Sequence, residues 1–396
     1  MAAVEYQEPG FRISQIWSDK RSRGVVIQII ALAALFGFLA FIVNNTINNL
    51  DQLGVETGYG FLWEPANYDI NQRLIEYDSR SPHIRATVVG ILNTVLVAFS
   101  GIVMATILGF IAGVLRLSHN FLINRIVYCY VEITRNVPLL LQILLWYGII
   151  VHTLPVPKKA LEPMSGVFVS NRGFAIPRPE FEPAFWAVFI AFVVAVVGAI
   201  VFKSWAKKNQ EATGKIYPVF TINTAAIIGL PVIVFFLAGM PATLDFPALK
   251  GFNFKGGVTV RPEFMALWFA LSVYTASFIA EIVRAGIQSV SHGQTEASYA
   301  LGIKANWTMR LVILPQALRV IIPPLISQYL NLTKNSSLAI AVGYMDIVAT
   351  IGGISLNQTG RALECMSIVL SLYLAFSLFI SLIMNWYNKR VALVER

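Results

Sequence analysis

Charged, thiol and imidazole side chains are all scarce in this chain. Only 13% of its 396 residues are charged and 56% are hydrophobic, whereas roughly 25% of the residues of a soluble domain are charged. The 2 cysteines, Cys129 and Cys365, lie in apolar stretches without CxxC spacing. This argues against a disulfide framework or zinc site and predicts packing roles for both. The mean hydropathy of +0.66 indicates a polytopic membrane protein.

Catalytic motifs are lacking as well. The sequence contains no Gly-x-x-x-x-Gly-Lys-Ser/Thr stretch that could hold ATP in a P-loop, and no His-Glu-x-x-His zinc motif. Its 4 histidines are scattered along the chain, and no catalytic constellation is evident. We therefore expect no enzyme activity, no metal site and no cofactor in this chain. Any energy that the protein uses must then come from a partner.

Eight long apolar runs alternate with polar segments. A run of about 20 residues crosses the roughly 30 Å of hydrocarbon in a bilayer. The net charge is +9, and the basic residues lie at the ends of the runs, as the positive-inside rule expects, rather than in a patch for nucleic acid. This pattern predicts that both chain ends are cytoplasmic. The predicted spans are 25–43, 88–114, 122–150, 185–202, 220–237, 264–283, 320–338 and 365–386.

The first run, 25–43, follows the basic residues Lys20, Arg21 and Arg23, so a secretory signal is a competing interpretation. The run is longer than a typical signal core, and no small-x-small cleavage site follows it. We interpret it as an uncleaved first span.

Two later runs should be irregular. Pro138 interrupts the third run and predicts a loosened helix, whose freed backbone groups must be satisfied by neighbours. The mixed stretch 340–356 contains Gly343, Gly352 and Gly353 and predicts a broken helix that lines a cavity.

A polar segment rich in small residues, 291–325, separates two apolar spans. Ser291 and Gln294 fit a capping box at the start of a short helix. Glu296 is expected in its first turn, where the helix dipole favours a negative charge. Gly302 is placed to end this helix in a left-handed conformation.

The second half of this segment predicts another short helix, capped by Asn306. Pro315 has no N–H and disfavours helical backbone at Leu314, so we expect a break there before the helix that carries Arg319.

These residues resemble the EAA loop of ABC importer permeases. Glu296-Ala297, Gly302 and Leu314-Pro315-Gln316-Ala317 match its spacing in full. In that family the loop is a coupling helix that docks in a groove of a cytoplasmic ATPase. An ordinary re-entrant turn is the alternative, but a turn does not need so long and patterned a segment. The resemblance implies ATPase coupling by Glu296, Ala297, Gly302, Leu314, Pro315, Ala317 and Arg319.

Other stretches resemble the polar amino-acid (histidine/glutamine-type) permeases of the same superfamily. Residues 135–142 are similar to the Arg-Gly-Thr-Pro-Leu-Leu-x-Gln motif, with Asn136 and Val137 replacing Gly-Thr. Residues 331–338 are similar to a Lys-Asp-Thr-Ser-Leu stretch, with Asn335 and Ser336 replacing Asp-Thr. Residues 281–286 are similar to the family's ending before its coupling loop, with Ala285 at a glycine position.

The chain is longer than a minimal five-span permease of this kind. One span is added at the front and a two-span insert divides the core, which resembles the long permease subunits of general L-amino-acid ABC importers. The predicted organisation is a cytoplasmic segment 1–24, an extra span and periplasmic loop 25–87, a first core part 88–152, the insert with its periplasmic loops 153–262, a second core part 263–388 that contains the coupling loop 291–319, and a cytoplasmic tail 389–396.

The resemblance implies an all-α, type I ABC importer transmembrane domain in the bacterial inner membrane. It would move L-amino acids from periplasm to cytoplasm by alternating access. The implied partners are a cytoplasmic ATPase dimer that binds ATP and Mg, a second homologous permease that forms a heterodimer with this chain, and a periplasmic amino-acid-binding protein. The alternative is a secondary transporter driven by an ion gradient, which predicts an internal repeat and paired broken helices; no such repeat is evident.

Ionisable residues inside spans are costly and often functional. Glu281 and Arg284, spaced i and i+3, predict an ion pair that supports the coupling loop, with a gate or an ATPase contact as the alternative. For Arg319 a positive-inside anchor is the alternative to coupling. Lys334 could meet a substrate carboxylate, with structural pairing as the alternative. For Gln142, Asn331 and Asn335, helix–helix hydrogen bonding is the alternative. The candidate substrate path consists of Arg135, Asn136, Gln142, Asn331, Lys334 and Asn335.

Overall fold

The computed structural model describes residues 20–52, 54 and 57–391. Most of the predicted cytoplasmic segment 1–24 and the end of the predicted tail 389–396 lie outside these residues. The described chain is mostly helical, which confirms the predicted fold class. Its helices are α1 Lys20–Gln52, α2 His83–Leu115, α3 Phe121–Asn136, α4 Leu139–Thr153, α5 Phe185–Thr213, α6 Val219–Leu237, α7 Pro262–Gln288, α8 His292–Ala300, α9 Ala305–Thr308, α10 Leu314–Asn335, α11 Leu356–Thr359 and α12 Ala362–Val391.

The predicted spans correspond to these helices. In the described residues, 7 helices are long and apolar enough to cross a membrane, or up to 8 if one bent pair counts as a span. That pair is α3 and α4, which meet at an angle of 107°. Pro138 is the N-cap of α4, so the expected loosening is a full break.

The core of the fold is the contact between α2 and α7, where small residues let the two helices approach closely. A Cβ atom at Gly109 would lie 2.5 Å from Cβ of Ile279, and one at Gly113 would lie 2.7 Å from the carbonyl oxygen of Ala280. Ala105 and Ala276 are also fully buried in this core. In a bilayer, apolar side chains are as favourably placed in lipid as in the protein core. Close van der Waals packing of this kind is therefore what holds membrane helices together.

Two further helices pack on α7. The start of α4 contributes Leu139 and Ile143 to the core, and α10 contributes Ile321 and Leu325. A Cβ atom at Gly286 would lie 2.3 Å from Cγ1 of Ile321, so α7 and α10 also meet at a glycine. Helix α7 is therefore the central element of the bundle.

The segment between α10 and α12 is irregular, as the glycines of 340–356 predicted. A 3-10 turn, Ser336–Val342, ends at Gly343 with φ 76°, and a π-helical stretch follows at Val348–Ser355. Asp346 is fully buried between them. Its carboxylate accepts hydrogen bonds from Ala349 N at 2.8 Å and from the Tyr373 hydroxyl at 3.3 Å, which fix the broken backbone.

The two cysteines have different surroundings. Cys365 is fully buried in a cluster with Phe61, Ile347 and Ile351, which confirms its predicted packing role. Cys129 is exposed on α3, so the same prediction for Cys129 is wrong for the isolated chain.

The loops of the insert contain short strands that the sequence did not predict. β1, β2, β3 and β8 form one antiparallel sheet in this order. β6 and β7 form a hairpin, whereas β4 pairs with β5 from the other side of α5 and α6. Phe174 of β3 pairs with Val260 of β8, immediately before Arg261 and the start of α7. The strands are β1 Leu161–Met164, β2 Val167–Ser170, β3 Gly173–Ile176, β4 Arg178–Phe181, β5 Ala242–Asp245, β6 Ala248–Lys250, β7 Asn253–Lys255 and β8 Val258–Val260.

We expect Gly109→Leu to destabilise the bundle, because its side chain must displace Ile279 in the close contact of α2 with α7. Overpacking of this kind costs about 1–3 kcal/mol. Gly198→Leu is the matched control, since a Cβ atom at Gly198 on α5 meets nothing within 4 Å. Thermal unfolding of the purified chain in detergent would measure the difference, and equal melting temperatures for both variants would contradict the packing described.

Candidate functional site

The candidate coupling site is the elbow, residues 289–313, which connects α7 to α10. Its first helix, α8, ends at Gly302, which has φ 72° as predicted. Gly302 N donates to Tyr299 O at 2.9 Å and Ile303 N donates to Ser298 O at 3.0 Å. This pair of bonds is a Schellman motif, which needs the left-handed backbone that glycine adopts without strain. The turn therefore depends on Gly302.

The predicted capping box is not formed. Ser291 is the N-cap of α8, but its side chain makes no cap hydrogen bond. The side-chain oxygen of Gln294 instead accepts a hydrogen bond from Gln316 Nε2 at 3.2 Å. This bond links the first helix of the elbow to the start of α10.

The predicted first-turn position of Glu296 is also wrong. Glu296 lies in the second turn of α8, and its carboxylate contacts His292 Nδ1 at 3.0 Å. Both side chains are exposed, so this contact contributes little to stability.

The second half of the elbow departs from prediction as well. The N-cap of α9 is Lys304 rather than Asn306. No break occurs at Leu314, because a π-helical turn, Met309–Ile313, leads directly into α10 with Leu314 in helical conformation. Pro315 occupies the first turn of α10, where a missing N–H is tolerated. The wider π turn absorbs the irregularity that we expected to break the helix.

The coupling residues divide into two groups by accessibility. Glu296, Ala297 and Gly302 are exposed, whereas Leu314 is half-buried and Ala317 is fully buried in the core. Arg319 is half-buried, and its Nε atom is buried without a hydrogen-bond partner among the described residues. Pro315 is exposed as well. The exposed coupling residues thus lie in the first half of the elbow and at Pro315, whereas Leu314, Ala317 and Arg319 belong to α10 and are packed in the bundle.

Large apolar side chains stand uncovered on this elbow. Leu301 is 79% exposed, Tyr299 53% and Trp307 52%. They flank the Gly302 turn, and Leu311 and Met309 in the second half of the elbow are exposed as well, 60% and 43%. An exposed apolar group with a polar rim is typical of a protein contact surface.

Four charged residues form a cluster near the C-terminal ends of α2, α3 and α7. Of these three helices, α7 leads directly into the elbow. Glu281 forms ion pairs with Arg284, as predicted, and with Arg116. Arg116 also lies 3.8 Å from Glu132. The Arg116 side chain is only 11% exposed. The ion pairs therefore tie α2, α3 and α7 together next to the elbow.

Arg116 follows the predicted span 88–114, and the sequence singled it out only as one of the basic residues at the ends of the runs. Its partner Glu281 is 165 positions away along the chain, so no local spacing could reveal the pair. A basic residue at the end of a span, opposite an unpaired carboxylate in another span, was the only signal.

The structure does not join the two halves of the candidate substrate path. In the described part of the chain, no hydrogen bond or ion pair connects the residues near the α3–α4 break to those at the end of α10. The guanidinium of Arg135 lies 5.1 Å from the Phe278 ring, and Asn136 Nδ2 donates to Glu132 O at 2.7 Å. Arg135, Asn136, Asn331 and Lys334 are exposed, and Asn335 is half-buried.

Gln142 forms hydrogen bonds between helices, as the alternative to a place in the substrate path predicted. Its side chain is buried, and its Nε2 donates to Thr134 O and to Val137 O, both at 2.9 Å. These carbonyls are freed by the break before α4, so Gln142 satisfies them and braces the bend.

This arrangement is suited to transmitting movement rather than to chemistry. No group of three or more histidine, cysteine, aspartate or glutamate side chains able to hold a metal ion occurs among the described residues. The elbow is accessible on one side and joined to the central helix on the other, as in a permease driven by another subunit.

Comparisons with known proteins identify the family. Residues 212–393 match the family described as binding-protein-dependent transport system inner membrane component. The chain is 48% identical over 387 residues, 98% of its length and 96% of its relative, to the general L-amino acid transport system permease protein AapQ of Rhizobium johnstonii. It is 47% identical over 425 residues, with 100% and 99% coverage, to the glutamate/glutamine/aspartate/asparagine transport system permease protein BztB of Rhodobacter capsulatus.

A third relative is the putative amino-acid ABC transporter permease protein YhdX of Escherichia coli, 47% identical over 374 residues, with 94% and 95% coverage. A solved structure of an amino acid ABC transporter with histidines is similar with a TM-score of 0.46 and 19% identity, covering 78% of this chain and 95% of that one. This protein belongs to the ABC importer permeases, in the family of binding-protein-dependent transport system inner membrane components.

We expect Glu281→Gln to loosen the inner end of the bundle, because Arg116 and Arg284 both lose the carboxylate that pairs with them. Hydrogen bonds to charged groups contribute about 1.5–3 kcal/mol each. Glu211→Gln is the control, since Glu211 pairs with Lys207 at 3.9 Å on an exposed helix surface. Thermal unfolding should separate the two variants. A loss as small as that of the control would show that the cluster has no structural role.

Proposed function

We propose that this chain is the transmembrane permease subunit of an ATP-driven importer that moves L-amino acids from periplasm to cytoplasm by alternating access. The observation that carries the proposal is the elbow, whose apolar side chains are uncovered in the chain while both its ends continue into packed helices. The names of the relatives, general L-amino acid and glutamate-type transport permeases, support the substrate class.

Energy enters from outside this chain. The sequence has no P-loop, so a cytoplasmic pair of ATPase subunits binds ATP and Mg, and a groove of one ATPase receives the elbow. Leu301 and Trp307 are its apolar contacts there, and Glu296 and Ala297 of α8 lie beside them. A periplasmic binding protein delivers the amino acid on the other side.

Movement follows from the attachments of the elbow. Its first residue follows α7 directly and its last precedes α10, and these two helices pack on each other at Gly286. When the ATPases close, displacement of the elbow rotates this pair as a rigid body and exchanges the inward-open for the outward-open cavity.

A second permease covers the polar positions that are exposed in this one. Arg135 and Lys334 lie on helices of the bundle and are exposed, and an unpaired charge facing lipid is costly. Together with Asn136, Asn331 and Asn335 they line the substrate path at the contact of a heterodimer.

The orientation places the elbow in the cytoplasm with both chain ends. The basic residues of 203–215, at the C-terminal end of α5 and just after it, support it, because basic residues at the ends of spans favour that side. The sheet of the insert then lies in the periplasm, and the bilayer is the bacterial inner membrane.

Reconstitution tests the proposed function directly. The assembled complex in vesicles, supplied with the binding protein and L-glutamate or L-glutamine, should accumulate the amino acid only when ATP is present on the ATPase side. Uptake driven by an ion gradient in the absence of the ATPases would contradict the proposal and favour a secondary transporter.

We expect Gly302→Val to abolish most of the amino-acid-stimulated ATP hydrolysis, because a β-branched residue does not adopt φ 72° without strain. A left-handed residue other than glycine costs about 1–2 kcal/mol. Gly302→Asn is the control, since asparagine tolerates this conformation and a Cβ atom at Gly302 meets nothing within 4 Å. If the complex that contains Gly302→Val hydrolyses ATP at the wild-type rate, the turn is not needed for coupling.

A further inference from the structure

A polar cavity of about 530 Å³ lies where the sheet of the insert meets the outer ends of α4 and α7. Small-molecule sites typically measure roughly 300–1,000 Å³, so this one has the size of a binding site. Its wall combines the β2–β3 turn, β7, β8, the first turn of α7 and the last turns of α4. The polar side chains that matter here are Asn171, Arg172, Thr259, Arg261 and Glu263.

Two buried acceptor atoms of this wall have no partner. Oε2 of Glu263 and Oδ1 of Asn171 are shielded from solvent, and neither accepts a hydrogen bond from the described residues. Buried polar atoms in folded proteins are nearly always hydrogen-bonded, and each exception calls for an explanation. Both residues line the cavity, so a small rotation of either side chain would bring its unpartnered oxygen to a donor that the chain does not supply.

The same wall provides cations. Arg261 is the residue before the first turn of α7, two positions from Glu263, and the two side chains form no ion pair with each other or with another described residue. Arg172 is held by its guanidinium to the Asn253 side chain, and also donates to Phe252 O at 3.4 Å. One unpaired cation and one unpaired anion thus line a single cavity.

We propose that this cavity binds a free α-amino acid as its zwitterion, at a second site outside the path through the membrane. The ammonium group donates to Glu263 and Asn171, and the carboxylate is received by Arg261 with Arg172 beside it. Val151 and Phe254 of the wall are placed to contact the ligand's side chain. The substrate class rests on the proposed function.

The chemistry of the wall excludes a divalent cation as the occupant. Glu263 is the sole carboxylate of the described wall, the two arginines would repel a metal ion, and the described residues contain no group of metal ligands. A simple anion would leave the buried oxygens of Glu263 and Asn171 without donors. Water can satisfy the hydrogen bonds of these groups, but a ligand with both charges also supplies a counter-charge to Glu263 and to Arg261 at once.

Protection of a cysteine tests the site in the intact complex. In a background with Cys129→Ser and Cys365→Ala, Thr259→Cys places one thiol on the wall of the cavity, and Glu182→Cys places one on the insert outside it. The nucleotide-free complex without binding protein is treated with a membrane-impermeant maleimide. L-Glutamate, L-glutamine and L-leucine are the probes, with 2-oxoglutarate and butylamine as ligands that each lack one of the two charges.

We expect at least one of the three amino acids to slow labelling of Thr259→Cys several-fold and to leave Glu182→Cys unaffected, whereas the two single-charge ligands do not protect. Glu263→Gln and Arg261→Gln should each raise the concentration needed for protection at least about tenfold, as loss of one charge-assisted contact predicts. The matched controls Glu182→Gln and Arg178→Gln should not change it, because both residues are exposed on the insert and outside the cavity.

The outcomes separate this site from the proposed function. A complex that pumps amino acids but shows no protection by any of the three would overturn the site and leave the function standing. Protection without ATP-driven uptake would support the site and contradict the function. If the ligand-free binding protein slows labelling of Thr259→Cys and the amino acids do not, the cavity is part of a protein contact. That result would overturn the site.

Discussion

The close contact of α2 with α7 is the constraint on which the rest of the structure depends. Gly109 and Gly113 leave no room for a side chain against Ile279 and Ala280, so the two helices have one register and one distance. The ion pairs of Glu281 with Arg116 and Arg284 fix the inner end of the same contact. Because α4 and α10 pack on α7 as well, the core is a single body around this helix.

Helix α7 also connects the two faces of the protein. At its start, β8 is paired with the sheet of the insert, and at its end the chain enters the elbow. A helix of 27 residues is about 40 Å long at 1.5 Å per residue. In the proposed function, a displacement of the elbow would therefore reach the sheet of the insert without passing through a flexible joint. The ligand proposed at Arg261 and Glu263 would contact the other end of the same helix.

The spans and the family could be predicted from the sequence because both depend on local signals. Apolar runs identify membrane helices by composition, and the left-handed turn at Gly302 follows from residue type and spacing. The strands of the insert were missed because they are only three or four residues long and pair across distant segments, as Phe174 does with Val260. The partnership of Arg116 with Glu281 was missed for the same reason, and the π-helical turn before Pro315 has no sequence signal that we applied. Gln142 was assigned to a substrate path because its bend-bracing contacts exist only once Pro138 has broken the helix.

The distance along α7 during the ATP cycle tests the account most directly. Spin labels at Val258→Cys in β8 and Ala300→Cys in α8, the elements that flank the two ends of α7, would report this distance in the assembled complex, in a background without Cys129 and Cys365. A second pair would measure the distance from Ala300→Cys to the elbow of the partner permease. The account predicts that the distance along α7 stays constant between the nucleotide-free and ATP-bound complexes, while the distance between the elbows changes. A change along α7 with no change between the elbows would contradict it.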